Sequence, residues 1–187
     1  MMANEQKKKI VSNMTCNSIR LFGKVAESIV DGPGIRYAIF CQGCYHHCEG
    51  CHNPESHAID GGEIYQIEQL IQEIKENPLL DGITLSGGEP MLQALACLEI
   101  IKAARNLKLP VMMYTGYVYE QVDSLLPEQK ELFFSCDSVV DGRFEKEQRS
   151  LSLYYRGSKN QRIIDIKKSL EDNKCIVHEI DSFGQLR

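Results

Sequence analysis

With 187 residues, the chain is long enough for one domain with a sizeable core and short for two. Apolar residues make up 43% and charged residues 25%, ordinary proportions for a globular protein. The formal net charge of −5 argues against nucleic acid or an anionic membrane as the main partner, because both attract basic surfaces. No apolar run approaches the ~20 residues that a helix needs to cross a bilayer.

The N-terminus opens on a polar, lysine-rich stretch, and Ser12, Asn13, Thr15 and Asn17 interrupt any apolar signal core behind it. Residues 1–16 are expected to form a flexible tail and residues 17–187 a single cytoplasmic domain. A leading strand or hairpin is predicted over residues 17–26, and a buried strand over 35–41. Ile64, Ile67, Leu70, Ile71 and Ile74 recur at helical spacing, with Asn77-Pro78 as the stop. A second strand is predicted over 82–85, ending in Ser86-Gly87-Gly88. Met91, Leu92, Leu95, Leu98 and Ile101 form another helical stripe. A third strand over 110–114, a helix over 118–126 and a fourth strand over 138–140 follow. Residues 163–166 and 176–180 add further strand candidates. Strands alternating with helices imply parallel pairing, and so few units predict an α/β fold built as a partial, open β/α barrel. Chemistry in such folds gathers at the C-terminal ends of the strands.

Eight cysteines are many for a reducing compartment, where disulfides are rare and thiols serve as core fillers, metal ligands or catalytic groups. Cys16, Cys97, Cys136 and Cys175 are scattered. Cys41, Cys44, Cys48 and Cys51 crowd one short segment, which points to a metal. Cys44, Cys48 and Cys51 are spaced C-x3-C-x2-C, so one loop can wrap three corners of an iron–sulfur cube and leave the fourth iron open to a ligand. The alternative is structural zinc, which takes four ligands; Cys41-x2-Cys44 and Cys48-x2-Cys51 form two suitable pairs, but with no finger loop between them.

The segment from Asp31-Gly-Pro-Gly-Ile-Arg36 through Gln42-Gly43-Cys44 to Cys51-His52-Asn53-Pro54 resembles the signature of the glycyl-radical-enzyme activases, members of the radical S-adenosylmethionine (SAM) superfamily. Tyr114-Thr-Gly-Tyr117, Val140-Asp-Gly-Arg-Phe144 and Arg156-Gly-Ser-Lys-Asn-Gln161 narrow the resemblance to activases of anaerobic (class III) ribonucleoside-triphosphate reductase. It implies a fold of the radical SAM type and a [4Fe-4S] cluster on Cys44, Cys48 and Cys51. It further implies that SAM binds the open iron and is reductively cleaved to methionine and a 5′-deoxyadenosyl radical. That radical takes a hydrogen atom from a glycine of the reductase, with reduced flavodoxin or ferredoxin as electron donor. Nucleic acid and membrane have no part in this chemistry, and no acid–base residue is required.

The same resemblance carries residues over to the cofactor. Gly50, His52 and Asn53 belong to the cluster loop; many members hold a bulky residue where this chain has Gly50, so adenine packing must come from elsewhere. Ser86, Gly87, Gly88 and Glu89 are assigned to the amino group of SAM, through glycine carbonyls and the Glu89 carboxylate. Thr115 is placed beside SAM, and Asp141 in the same mouth, holding a cation or a SAM group. Arg156 suits the SAM carboxylate, and equally suits ordering its loop or meeting the partner. Three other readings remain open: a plain turn at each of these sites, an activase for another glycyl radical enzyme, and a non-catalytic zinc or iron–sulfur binding module with Cys41 as fourth ligand.

Overall fold

The computed structural model describes residues 16–187. The predicted N-terminal tail therefore lies, apart from Cys16, outside the described residues. The elements are β1 (Ser18–Ser28), β2 (Arg36–Cys41), β3 (Glu63–Gln66), α1 (Ile67–Glu76), β4 (Gly82–Gly87), α2 (Ala94–Asn106), β5 (Val111–Tyr114), α3 (Pro127–Ser135), β6 (Ser138–Asp141), β7 (Arg162–Asp165) and α4 (Ile166–Asp172). They form one mixed seven-stranded sheet in the order β3-β1-β2-β4-β5-β6-β7. Strands β2, β4, β5 and β6 run parallel, while β1 pairs antiparallel with both β2 and β3, and β7 antiparallel with β6. The sheet is open, with β3 and β7 at its edges.

Alternation along each strand sorts side chains between two faces. Tyr37, Ile39 and Cys41 of β2, Ile83 and Leu85 of β4, Val111 and Met113 of β5, and Val139 of β6 join the main core. The helices meet them there through Leu70 and Ile74 of α1, Ile100 and Ala104 of α2, and Leu132 and Phe133 of α3. A smaller cluster, Met112, Val140 and Ile163, covers the other face, with Tyr114, Tyr155, Ile180 and Leu186 packed against it. Strands buried on both faces are the norm in parallel sheets and explain the continuous apolar runs in the sequence.

Arg36 begins β2 at the end of the sheet away from Cys41. It is 3% exposed and donates to Thr84 Oγ1 (3.2 Å), to Pro110 O (3.0 Å) and to Ile83 O. Burial lowers its pKa to about 10. The arginine of the Gly-Pro-Gly-Ile-Arg block thus ties β2 to β4 and to the residue just before β5.

Three sequence expectations are corrected. The helical stripe that starts at Ile64 is interrupted: residues 63–66 form β3, paired with Ser18–Leu21 of β1, and the helix begins at Ile67. Ile64 is 60% exposed, so it belongs to no helical core face. The helix over 118–126 is a run of 3-10 turns, Tyr119–Ser124, and α3 starts after it, with Pro127 supplying a residue preset for the first helical turn. Residues 176–180 add isolated bridges, Ile164↔Val177 and Ile180↔Leu186, rather than a strand. No helix among the described residues is long and apolar enough to cross a membrane.

Candidate active site at the carboxyl ends of the parallel strands

Parallel pairing brings Cys41, Gly87, Tyr114 and Asp141, the last residues of β2, β4, β5 and β6, to the same end of the sheet. A cavity of about 440 Å³ opens there. One wall is the loop that leaves β2. Residues with positive φ shape this loop: Gly43 (96°), His47 (49°) and Gly50 (72°). The left-handed region suits glycine and strains other residues. Backbone bonds fasten the loop to the 3-10 turn at Pro54–His57, Gly43 N–H to Ser56 O (2.7 Å) and Cys44 N–H to His57 O (3.1 Å).

Cys44, Cys48 and Cys51 all line the cavity. Burial raises the pKa of the Cys44 and Cys48 thiols, against the opposing pull of backbone N–H groups, His46 for Cys44 and Phe144 for Cys48. The N–H of Asn53 also points at Cys51 Sγ (3.4 Å). Cys44 and Cys51 thus each have a backbone N–H aimed at the sulfur, the kind of contact that tunes a cluster's potential. Cys41 does not share the cavity. It is 0% exposed, on the helix-covered face, with its Sγ 3.9 Å from Cys97 Sγ. That contact and complete burial push the Cys97 thiol well up. Among the described residues no three His, Cys, Asp or Glu side chains converge on a single-ion site. Three thiols facing one cavity from one loop, with the fourth turned into the core, fit a cube with one open iron and do not fit a four-cysteine zinc site.

The turn after β4 forms the second wall. Ser86, Gly87 and Gly88 line the cavity. Backbone bonds from Gly88 N–H to Cys41 O (2.7 Å) and Glu89 N–H to Gly43 O (2.8 Å) join this turn to the cysteine loop. Gly87 has φ 94°, and a Cβ there would stand 2.6 Å from Cys41 N and Phe40 C. Gly87→Ala should therefore destabilise the fold by about 1–3 kcal/mol or more, seen as a lower melting temperature of the metal-free protein.

Glu89 is 1% exposed and is not on the cavity wall. Its Oε1 accepts from Met91 N–H (3.0 Å) and Thr115 Oγ1 (3.0 Å), and its Oε2 from Gly116 N–H (2.9 Å) and His46 Nε2 (2.8 Å). Both oxygens are used within the protein, in the structure without ligand. The carboxylate joins the cysteine loop, the Gly-Gly turn and the end of β5. Thr115 does line the cavity, with its hydroxyl turned to Glu89.

Asp141 is likewise held by internal partners. It is 1% exposed and receives Tyr119 N–H (2.9 Å), Arg162 Nε (3.1 Å) and Arg162 Nη2 (2.5 Å), and it is absent from the cavity wall, which Gly142 reaches instead. Arg162 also grips Glu120 through two bonds (2.9 and 2.8 Å), which hold that carboxyl below its ordinary pKa. Gly50 lies behind the wall, whereas His52 and Asn53 line it. Arg156 lines it too; its Nη1 donates to Gln161 O (3.3 Å), while its buried Nε has no hydrogen-bond partner.

Sequence reasoning gives no site role to His46, Arg143 and Phe144. His46 stands between two metal-spaced cysteines, a usable signal; its ring packs on Gly116 and reaches Glu89. Arg143 and Phe144 line the cavity directly after Gly142.

Comparison with known proteins agrees with this geometry. A family model described as "4Fe-4S single cluster domain" matches residues 30–164, a span that holds all three cavity cysteines and Arg156. The chain is 34% identical over 142 residues to the anaerobic ribonucleoside-triphosphate reductase-activating protein of Vibrio cholerae, covering 71% of this chain and 89% of that one. It is 31% identical to the protein of the same name from Haemophilus influenzae, with the same coverage, and 30% identical to that of Enterobacteria phage T4, over 72% of this chain and 86% of that one. The chain belongs to the 4Fe-4S single cluster domain family and, within it, with the anaerobic ribonucleoside-triphosphate reductase-activating proteins.

Proposed function

We propose that this protein activates an anaerobic ribonucleoside-triphosphate reductase in the cytoplasm by generating a glycyl radical on it. Residues 17–187 act as one radical SAM domain, and the open sheet is the partial β/α barrel of that type. The observation that carries the reading is the sorting of the four clustered cysteines: Cys44, Cys48 and Cys51 face one cavity, and Cys41 is buried against Cys97. When bound, a [4Fe-4S] cluster and SAM supply the electron transfer and carbon–sulfur cleavage that yield methionine and a 5′-deoxyadenosyl radical.

The chain's own residues do the binding and orienting. Cys44, Cys48 and Cys51 hold the iron. Backbone carbonyls of the Ser86-Gly87-Gly88 turn accept from the ammonium of the methionyl group, and the absence of Cβ atoms lets them come close. Arg156, whose guanidinium-bearing side chain belongs to the cavity lining, pairs with the methionyl carboxylate. A glycine-bearing segment of the reductase enters the remaining space, where its side chain offers no bulk and its Cα hydrogen can be reached. Flavodoxin or ferredoxin delivers the electron.

The test is anaerobic reconstitution with iron and sulfide, then incubation of the reduced protein with SAM and the reductase. A SAM-dependent shift of the cluster's electron paramagnetic resonance spectrum, 5′-deoxyadenosine, and a glycyl radical signal on the reductase are the expected results. A cluster indifferent to SAM would overturn the reading. Arg156→Ala should weaken SAM binding about 10–100-fold, the worth of a charge-assisted bond, with cluster content unchanged in an iron assay and partial recovery in Arg156→Lys.

A further inference from the structure

We infer that Phe144 is the aromatic surface on which the cofactor's purine lies, making it a specificity residue for adenosine-containing ligands. The inference rests on the reading of the cavity as a SAM site and names the wall that holds the base.

Gly50, the residue before the third cysteine, has φ 72° and presents only backbone. A Cβ built on it would stand 3.5 Å from Phe144 Cε1. The phenyl ring thus borders the space that a side chain at position 50 would enter. A Cβ on Gly157 would come 2.9 Å from Phe144 Cδ2 and 3.2 Å from Cε2, on the other edge of the same ring. Two residues without side chains therefore flank the ring, and room for it is built into both loops. His52 adds a second ring, 5.1 Å away between centroids and tilted by 48°. Phe144 and His52 both line the cavity, and together they form its aromatic corner.

The segment that carries the ring is fixed by hydrogen bonds. Glu145 N–H donates to Ser158 Oγ (3.1 Å), and Asn160 Nδ2 to Arg143 O (2.8 Å). A ring held this way loses little freedom when a ligand arrives. It is half-buried, with an apolar surface turned to a cavity whose other walls carry the thiols, the glycine turn and Arg156. A ligand with a charged amino-acid end and a flat heteroaromatic end matches that division. Its charged end goes to Gly87, Gly88 and Arg156, and its base stacks on Phe144, as bases stack on aromatic side chains in many sites.

The experiment uses the cluster-loaded protein and measures equilibrium dissociation constants for SAM, 5′-deoxyadenosine and methionine separately, alongside iron content. Phe144→Ala is expected to bind SAM and 5′-deoxyadenosine about 10–100-fold more weakly and methionine as the native chain does; Phe144→Tyr is expected to bind all three normally. Should the alanine variant fail to hold iron, Phe144→Leu, which keeps volume without a π face, takes its place with the same expected pattern. Unchanged affinity for 5′-deoxyadenosine overturns the inference, as does an equal loss for methionine, which would mark a merely structural role. A native chain that binds no SAM would instead sink the underlying function, so the two failures are distinguishable.

Discussion

Serine at Cys44, Cys48 or Cys51 is expected to abolish the cluster, while serine at Cys41 spares it. Each of the three lines the cavity and supplies one corner of the cube, and a hydroxyl is a poor substitute for a thiolate on iron. Iron should fall from about four per chain to well below stoichiometric, and with it the SAM-dependent spectrum and all glycyl radical formation. Cys41 fills the core beside Cys97. Cys41→Ser places a hydroxyl among apolar groups and should cost about 1–3 kcal/mol of stability, yet leave iron, sulfide and the SAM response at native levels per folded molecule. The measurement is iron and sulfide analysis with electron paramagnetic resonance on all four variants. Loss of the cluster from Cys41→Ser would return the four-ligand binding module to first place.

Removing Glu89 should be nearly as damaging, through structure rather than ligation. Every partner of its carboxylate is a donor: two backbone N–H groups, the Thr115 hydroxyl and His46. Glu89→Ala strands these donors in a site that is 1% exposed. The expected cost is about 3 kcal/mol or more, which for a chain of this size lowers the melting temperature by about 6–12 °C. Glu89→Gln is nearly the same shape but turns an amide NH2 toward donors, so it should recover only part of the loss. The loop that bears Cys44 and Cys48 loses its anchor at His46, so the cluster of either variant should be lost faster on exposure to air. Thermal melts of the metal-free chain and the decay of cluster absorbance in air separate the two effects. Native stability in Glu89→Ala would show that the network contributes nothing.

The sequence made β2, β4, β5 and β6 legible because each is a short apolar run closed by glycine or a polar residue, buried on both faces. Strand β3 was hidden, since Ile64 falls in register with the apolar stripe of α1 while its pairing partner in β1 is more than forty residues away. Helix α3 opens Pro-Glu-Gln-Lys-Glu and buries chiefly Leu132 and Phe133, too weak a pattern to stand out. At the site, spacing singled out the three cavity cysteines and the Gly-Gly turn, because backbone geometry and thiol count are local properties. The direction of a carboxylate is not local. Asp141 turns to Arg162 and Glu89 to His46, and these partners lie 21 and 43 residues away in the chain. Nor does a motif reveal that Phe144 reaches across to a glycine in another loop.

The burial of Cys41 also bears on the order in which the protein is made. In the unfolded chain, Cys41-x2-Cys44 and Cys48-x2-Cys51 offer four thiols within eleven residues, a ready trap for zinc. Once β2 joins the sheet and Cys41 packs against Cys97, one of the four is withdrawn and a four-cysteine zinc site can no longer form from this segment. Folding before loading should therefore disfavour the four-thiolate trap. Chains that meet free zinc while still unfolded should be caught in a mismetallated state, and iron supplied after the sheet has formed meets only the three thiols that serve it.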